Sequence, residues 1–124
     1  MKFLDNFVEQ IYALFRIVTG FLFLWHGSVK LFDFPMDYPR ELTALTAAAG
    51  AIEFVLGALV MLGLFSRYAA FISSGTMAVA YWMVHHSMDN ILPIGNGGTL
   101  AALYCFAFLY IAAKGPGIWS INDK

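Results

Sequence analysis

Five side chains of types that bind ligands or carry protons lie within or beside long apolar segments of this sequence: His26, Lys30, Glu53, His85 and Asn96. Imidazole, ammonium, carboxylate and amide groups all form hydrogen bonds, and the first three can also exchange a proton. A charged side chain at the centre of a bilayer costs roughly 2.5 to 3.5 kcal/mol, so such groups usually face other helices and pair. We therefore interpret the five residues as one candidate ligand-binding site.

Other kinds of site lack support in the sequence. Histidine and glutamate can bind zinc, but no HExxH or similar spacing occurs, so no metal site is predicted. The glycines of residues 95–98 lack the lysine of a phosphate-binding loop, and Cys105, the one cysteine, excludes an intrachain disulfide or CxxC pair. A net charge of -1 with scattered Lys and Arg excludes a nucleic-acid surface.

The segments that must position these side chains are apolar. The chain is 60% hydrophobic and 12% charged, about half the roughly 25% charge of a soluble domain. Four stretches can cross about 30 Å of hydrocarbon as helices: residues 11–32, 44–65, 68–88 and 97–113. Short loops with prolines and glycines separate them. The sequence thus predicts an all-α integral membrane four-helix up-down bundle, a single domain over residues 1–124.

Residue spacing predicts which helix faces meet. Arg16, Gly20, Phe23, Gly27 and Lys30 recur at steps of four and three in the first segment, and Thr46, Gly50, Glu53 and Gly57 do so in the second. Glycine on such a stripe lets two helix backbones approach closely. We predict Arg16, Gly27 and Gly57 as structural packing residues. Antiparallel helices would then gather the five candidate side chains toward the outward half of the bilayer, with Asn96 entering from the third loop.

Each polar residue also has a simpler structural interpretation. Glu53 could be an anchor that pairs with Arg16 or Lys30, or it could be protonated through desolvation. Lys30 could extend outward to lipid phosphates. His85 and His86 are adjacent, and about 100° of helix separates them, so both cannot face one site. We predict that His85 faces the site and that His86 is an interfacial residue.

Cations near the segment ends predict the orientation. One side holds four of them and the other holds two: Lys2, Arg67, Lys114 and Lys124 against Lys30 and Arg40. The positive-inside rule then places both termini in the cytoplasm. The N-terminal residues carry Asp5 and Glu9 and lack a cleavage-site pattern, so we expect the first segment to be retained in the mature protein.

The order and spacing of these residues resemble the DoxX family of small four-helix membrane proteins over nearly the whole chain. The matching residues, in chain order, are Arg16 and Gly20; His26, Gly27, Lys30 and Leu31; Glu53 and Gly57; Gly63, Leu64, Arg67, Ala69 and Ala70; residues 77–80 with His85; Asn96, Gly97, Gly98, Leu100 and Ala101; and Gly115, Pro116, Gly117, Ser120 and Asp123. Two departures stand out. Thr99 replaces a frequent Glu, which removes an acidic group near the site, and Asn122 lengthens the usual ending.

The resemblance implies a bacterial inner-membrane protein that serves as an accessory subunit of a membrane-associated oxidoreductase, quinone-linked or active against oxidative stress. It also implies a redox-enzyme partner and a small apolar or quinone-like ligand between the helices. Electron transfer would need that partner, because the chain has no cofactor motif. The alternative is a non-catalytic membrane chaperone, assembly factor or scaffold, as found among distant relatives. A homo-oligomer is compatible with either interpretation.

Overall fold

Every regular element of the protein is a helix. The computed structural model describes all 124 residues. A 3₁₀ segment, Lys2–Phe7, continues into helix α1, Val8–Phe32, and then come α2, Ala44–Leu62; α3, Ser66–Ala80; α4, Pro93–Asn96; and α5, Thr99–Lys114. A π-helical turn, Tyr81–His85, extends α3, and one isolated β-bridge joins Ser87 to Asn90. The predicted all-α fold class is confirmed.

The helices differ in how far they could cross a membrane. Lys2–Phe32 and Ala44–Leu62 are long and apolar enough to do so, whereas α5 is apolar but has 16 residues. The α-helix of the third predicted segment stops at Ala80, not at Met88, and the π turn adds only five residues. The reason is local, because His86 is extended and the next residues close a tight loop at the Ser87–Asn90 bridge.

Helix α2 has well-defined ends that set the direction of the chain. At its start, the Thr43 hydroxyl accepts from the Thr46 N–H and the Thr46 hydroxyl accepts from the Thr43 N–H, a reciprocal capping box. At its end, Gly63 adopts the left-handed conformation with φ 70°, and its N–H donates to α2 carbonyls. Two more residues lead into α3, so the two helices lie side by side and run in opposite directions.

The closest helix pair is α1 with α2. A Cβ added at Gly20 would lie 2.5 Å from the Met61 nitrogen, and one added at Gly27 would overlap the backbone of Gly50 and Phe54. These backbone contacts show that glycine at both positions permits the approach. Because Gly20 meets the end of α2 and Gly27 meets its first half, the helices are antiparallel.

Helix α5 packs on α3 and contributes aromatic rings to the contact with α1. The Ser74 hydroxyl donates to the Cys105 carbonyl across the α3–α5 contact at 2.7 Å. The Phe23 ring of α1 lies 4.6 Å from the Phe108 ring and 5.1 Å from the Tyr104 ring, measured between centroids. Phe23 and Phe108 are fully buried, so the centre of the molecule lies between α1 and α5 at this level.

The surface is apolar and several buried positions are polar, the reverse of a soluble domain. Phe71, Leu103 and Phe106 each expose more than 60% of their surface, whereas Arg16 and Glu53 are buried. Exposed apolar patches of this extent mark contact with other apolar material. The distribution is consistent with an integral membrane protein.

The residues after α5 fold back over the connection between α2 and α3. Here we call residues 115–124 the C-terminal strap. The Ile121 N–H donates to the Leu62 carbonyl, the Asn122 N–H donates to the Gly63 carbonyl, and the Asn122 side chain accepts from the Phe65 N–H. The strap therefore closes one end of the helical bundle.

Candidate functional site

Lys30 and Glu53 form the one ion pair of the structure, between α1 and α2. The Lys30 Nζ lies 2.6 Å from the Glu53 Oε1, and the pair lies next to the contact of Gly27 with Gly50. Glu53 is 3% exposed and Lys30 is 22% exposed, so the pair is open to its surroundings on the lysine side. Glu53 thus pairs with Lys30 and not with Arg16.

The second carboxylate oxygen of Glu53 has no partner. Oε2 is buried and accepts no hydrogen bond, although a carboxylate can accept several. Leaving such an atom unsatisfied costs about 1 to 3 kcal/mol or more when it is charged. Glu53 therefore keeps one hydrogen-bond acceptor buried and unsatisfied beside the Lys30 ammonium.

His26 and Tyr104 extend this polar surface toward α5. His26 lies one helical turn before Lys30 and is exposed, and its ring stands edge-on to the Tyr104 ring with centroids 5.9 Å apart. Tyr104 is buried, and it also stacks on Phe108. None of the predicted site residues lies within residues 97–113, so Tyr104 was not among them. The signal that could have found it is its position near the middle of that segment, at a depth similar to Phe23 and His26.

His85 and Asn96 lie in a second polar group at the end of α3. The Asn96 amide donates to the Asn90 carbonyl at 3.0 Å and to the Tyr81 hydroxyl at 3.3 Å, and its oxygen accepts from the Gly98 N–H. His85 is half-buried beside Gly97. The amide of Asn96 is therefore engaged in shaping its own loop.

The five predicted residues are thus divided between two groups. His26, Lys30 and Glu53 lie together on α1 and α2, but no hydrogen bond, ion pair or ring contact joins them to His85 or Asn96. His86 stands edge-on to the Trp82 ring, with centroids 4.6 Å apart. No group of three or more His, Cys, Asp or Glu is placed to hold a metal ion.

Arg16 binds the C-terminal strap. It is completely buried, and its guanidinium donates to four backbone carbonyls: those of Val60, Pro116, Ile118 and Trp119. Arginine suits this role because it carries five N–H donors in a fixed plane. Sequence reasoning assigned Arg16 to packing but could not find its partners, since backbone carbonyls leave no mark in the sequence.

Comparison with known proteins now adds a second line of evidence. The family model described as DoxX matches residues 11–86, which is more than half of the chain. The chain belongs to the DoxX family. This DoxX protein is 38% identical over 130 aligned positions to an uncharacterized protein of Haemophilus influenzae, with all of this chain and 97% of the relative covered. No solved structure matches it.

The region that matches the family model contains some of the candidate site residues but not all of them. The matched region contains Arg16, Lys30, Glu53 and His85, whereas Asn96 and the C-terminal strap lie beyond it. The resemblance inferred from residue spacing is confirmed as family membership, and the Lys30–Glu53 pair is part of the matched region.

Proposed function

We propose that this DoxX protein crosses the bacterial inner membrane as a four-helix up-down bundle with both termini in the cytoplasm. There it serves as an accessory subunit of a membrane-associated oxidoreductase system, and it binds a small apolar or quinone-like molecule at the Lys30–Glu53 pair. Helices α1, α2, α3 with its π turn, and α5 are the four spans. The antiparallel α1–α2 and α2–α3 pairs and the apolar exterior support this arrangement.

The observation that carries the ligand proposal is the state of Glu53. One oxygen is held by Lys30 and the other is buried without a partner, in a protein whose exterior is largely apolar. Ligand sites are mostly apolar with a few convergent polar groups that fix orientation. Such a site selects a molecule with a polar head and an apolar body.

The donors and acceptors indicate how the head would bind. A hydroxyl on the ligand would donate to Glu53 Oε2, while a carbonyl would accept from the Lys30 ammonium or the exposed His26 ring. The contacting rings of Phe32 and Phe54, 5.4 Å apart, offer apolar surface for the body of the ligand. A bound quinone supplies reversible redox chemistry, and the protein's own groups hold it and can exchange protons with it.

The test is co-purification. Wild type, Glu53→Gln and the exposed-loop control Glu41→Gln are purified in mild detergent, and bound quinones and lipids are quantified per protein by mass spectrometry. We expect wild type and the control to retain quinone and Glu53→Gln to retain about tenfold less, the effect of losing one charged hydrogen bond. Absence of quinone from wild type, or equal retention by Glu53→Gln, would contradict the proposal.

A second function is favoured by the position of the same ion pair. The Lys30 side chain lies next to Gly50, where α1 and α2 approach closely. An ion pair at this place can fix the register of the two helices without binding a ligand. In that case the protein is a membrane chaperone, assembly factor or scaffold. Affinity capture from membranes distinguishes the two, because redox enzymes among the partners support the first function and transporter or receptor subunits support the second.

A further inference from the structure

Two adjoining cavities lie at the end of the molecule opposite the Lys30–Glu53 pair, and both are lined by Tyr12. The first is an open groove of about 420 Å³ with an almost wholly apolar lining: Leu4, Val8, Ile11, Tyr12, Phe15 and Tyr110, with Asp5 at its edge. The second is a smaller cavity of about 140 Å³. Tyr12 precedes Lys30 by 18 residues of one helix, a distance of roughly 27 Å, so these cavities are separate from the proposed quinone site.

The smaller cavity contains two opposite charges that do not pair with each other. Glu9 and Lys114 both line it, yet the Lys30–Glu53 contact is the one ion pair of the structure. The Lys114 ammonium lies 5.0 Å from the centre of the Tyr12 ring. A ligand that carries one positive and one negative group can meet both side chains at once.

The C-terminal strap builds one wall of this cavity and is itself held firmly. Gly117 and Ile118 line the cavity. The Tyr12 hydroxyl donates to the Gly115 carbonyl at 2.6 Å, and the buried Arg16 holds the Ile118 carbonyl at 3.0 Å. The charged cavity is therefore formed before any ligand arrives, which lowers the cost of binding.

The depth of the two cavities matches an amphiphilic ligand. Ile11 begins the first predicted membrane segment and Lys114 ends α5, so the charged cavity lies at the membrane–water boundary on the proposed topology. The groove runs along the 3₁₀ segment and α1 from Leu4 to Phe15 and reaches Tyr110, so its Phe15 and Tyr110 end extends toward the apolar interior of the bilayer. A lipid headgroup would occupy the charged cavity, and a hydrocarbon chain would occupy the apolar groove.

We propose that this double cavity binds one zwitterionic aminophospholipid of the phosphatidylethanolamine type. Its phosphate pairs with Lys114, its primary ammonium donates to Glu9, and one acyl chain lies in the apolar groove. Phosphatidylglycerol has no cation for Glu9. Phosphatidylcholine has a quaternary ammonium that cannot donate a hydrogen bond, so both should bind more weakly.

The experiment measures lipid binding by native mass spectrometry. Delipidated wild type is titrated in detergent with dioleoyl phosphatidylethanolamine, phosphatidylcholine or phosphatidylglycerol. We expect the first lipid to bind about two- to fivefold more tightly than the others, the range for one exposed charged contact. Glu9→Gln should remove the preference over phosphatidylglycerol, Lys114→Gln should weaken all three, and Ile11→Trp should block the groove. The matched control on an exposed α3 surface, Ile72→Trp, should bind like wild type.

Either of two results would overturn the proposal. The first is wild type binding phosphatidylglycerol or phosphatidylcholine as tightly as phosphatidylethanolamine. The second is unchanged lipid selectivity in Glu9→Gln at wild-type melting temperature. The wild-type titration needs no variant to fold, and because it does not involve Glu53, its failure would leave the quinone proposal standing.

Discussion

The buried guanidinium of Arg16 offers the sharpest test of how this fold is held together. Arg16→Met keeps the apolar stem of the side chain and removes all of its hydrogen-bond donors. Three of the four carbonyls that lose a donor belong to the C-terminal strap: Pro116, Ile118 and Trp119. We therefore expect the strap to detach while the helices stay formed.

The size of the effect follows from the contacts. Hydrogen bonds from a charged donor contribute about 1.5 to 3 kcal/mol each, so four give roughly 6 to 12 kcal/mol before compensation. The carbonyls of a released strap can bind water, and the substitution also removes the cost of burying the guanidinium charge. We expect a net loss near 3 kcal/mol, about a hundredfold increase in the population of the opened strap.

A second arginine supplies the matched control. Arg67 donates to the Ala112, Ala113 and Lys114 carbonyls at the end of α5, but it is exposed. Water can replace most of its bonds, so Arg67→Met should cost about 1 kcal/mol or less. Comparing the two variants distinguishes the effect of burial on stability from the effect of the number of hydrogen bonds.

The assay combines thermal unfolding in detergent with limited trypsin digestion. Cleavage after Lys114 releases residues 115–124, and its rate reports strap opening by intact-mass measurement. We expect Arg16→Met to be cut about a hundredfold faster than wild type, with unchanged helical content. If Arg16→Met melts and digests like wild type, or if Arg67→Met is the more damaging change, buried Arg16 does not hold the strap.

Three further predictions follow from the helix contacts and the proposed topology. Gly27→Ala should lower the free energy of unfolding in detergent by about 1 to 3 kcal/mol, because its Cβ would overlap the α2 backbone. Gly75→Ala is the control and should be neutral or slightly stabilising, because Gly75 has open space around it. Equal melting temperatures of the two variants would contradict the packing of α1 on α2. In a double-mutant cycle, the changes in the free energy of unfolding caused by Lys30→Met and by Glu53→Gln should differ from additivity by about 0.5 to 3 kcal/mol. Additive changes would show that the two residues do not act as one unit. Reporter fusions at the C-terminus and in the loop between α1 and α2 should read cytoplasm and outside respectively, and an external C-terminus would reverse the proposed orientation.

The sequence determined the features that depend on composition and on neighbours along one helix. Apolar length predicted helices, and the three-and-four spacing predicted that Gly27 would lie on the same face as Lys30. Both follow from the fixed geometry of 3.6 residues per turn, which holds whatever the helix packs against. The same spacing offered Lys30 as a partner of Glu53, and the matching residues from Arg16 to Asp123 carried the resemblance to the DoxX family.

The tertiary structure alone decided which residues from different helices meet. It separated His85 and Asn96 from the Lys30–Glu53 pair, because α3 ends at Ala80 and the loop after it holds Asn96 in its own hydrogen bonds. It also gave Arg16 its partners, which are backbone carbonyls. Helix rotation and the path of the strap are set by contacts far apart in the chain, and a carbonyl is present at every residue, so neither could be read from residue types and spacing.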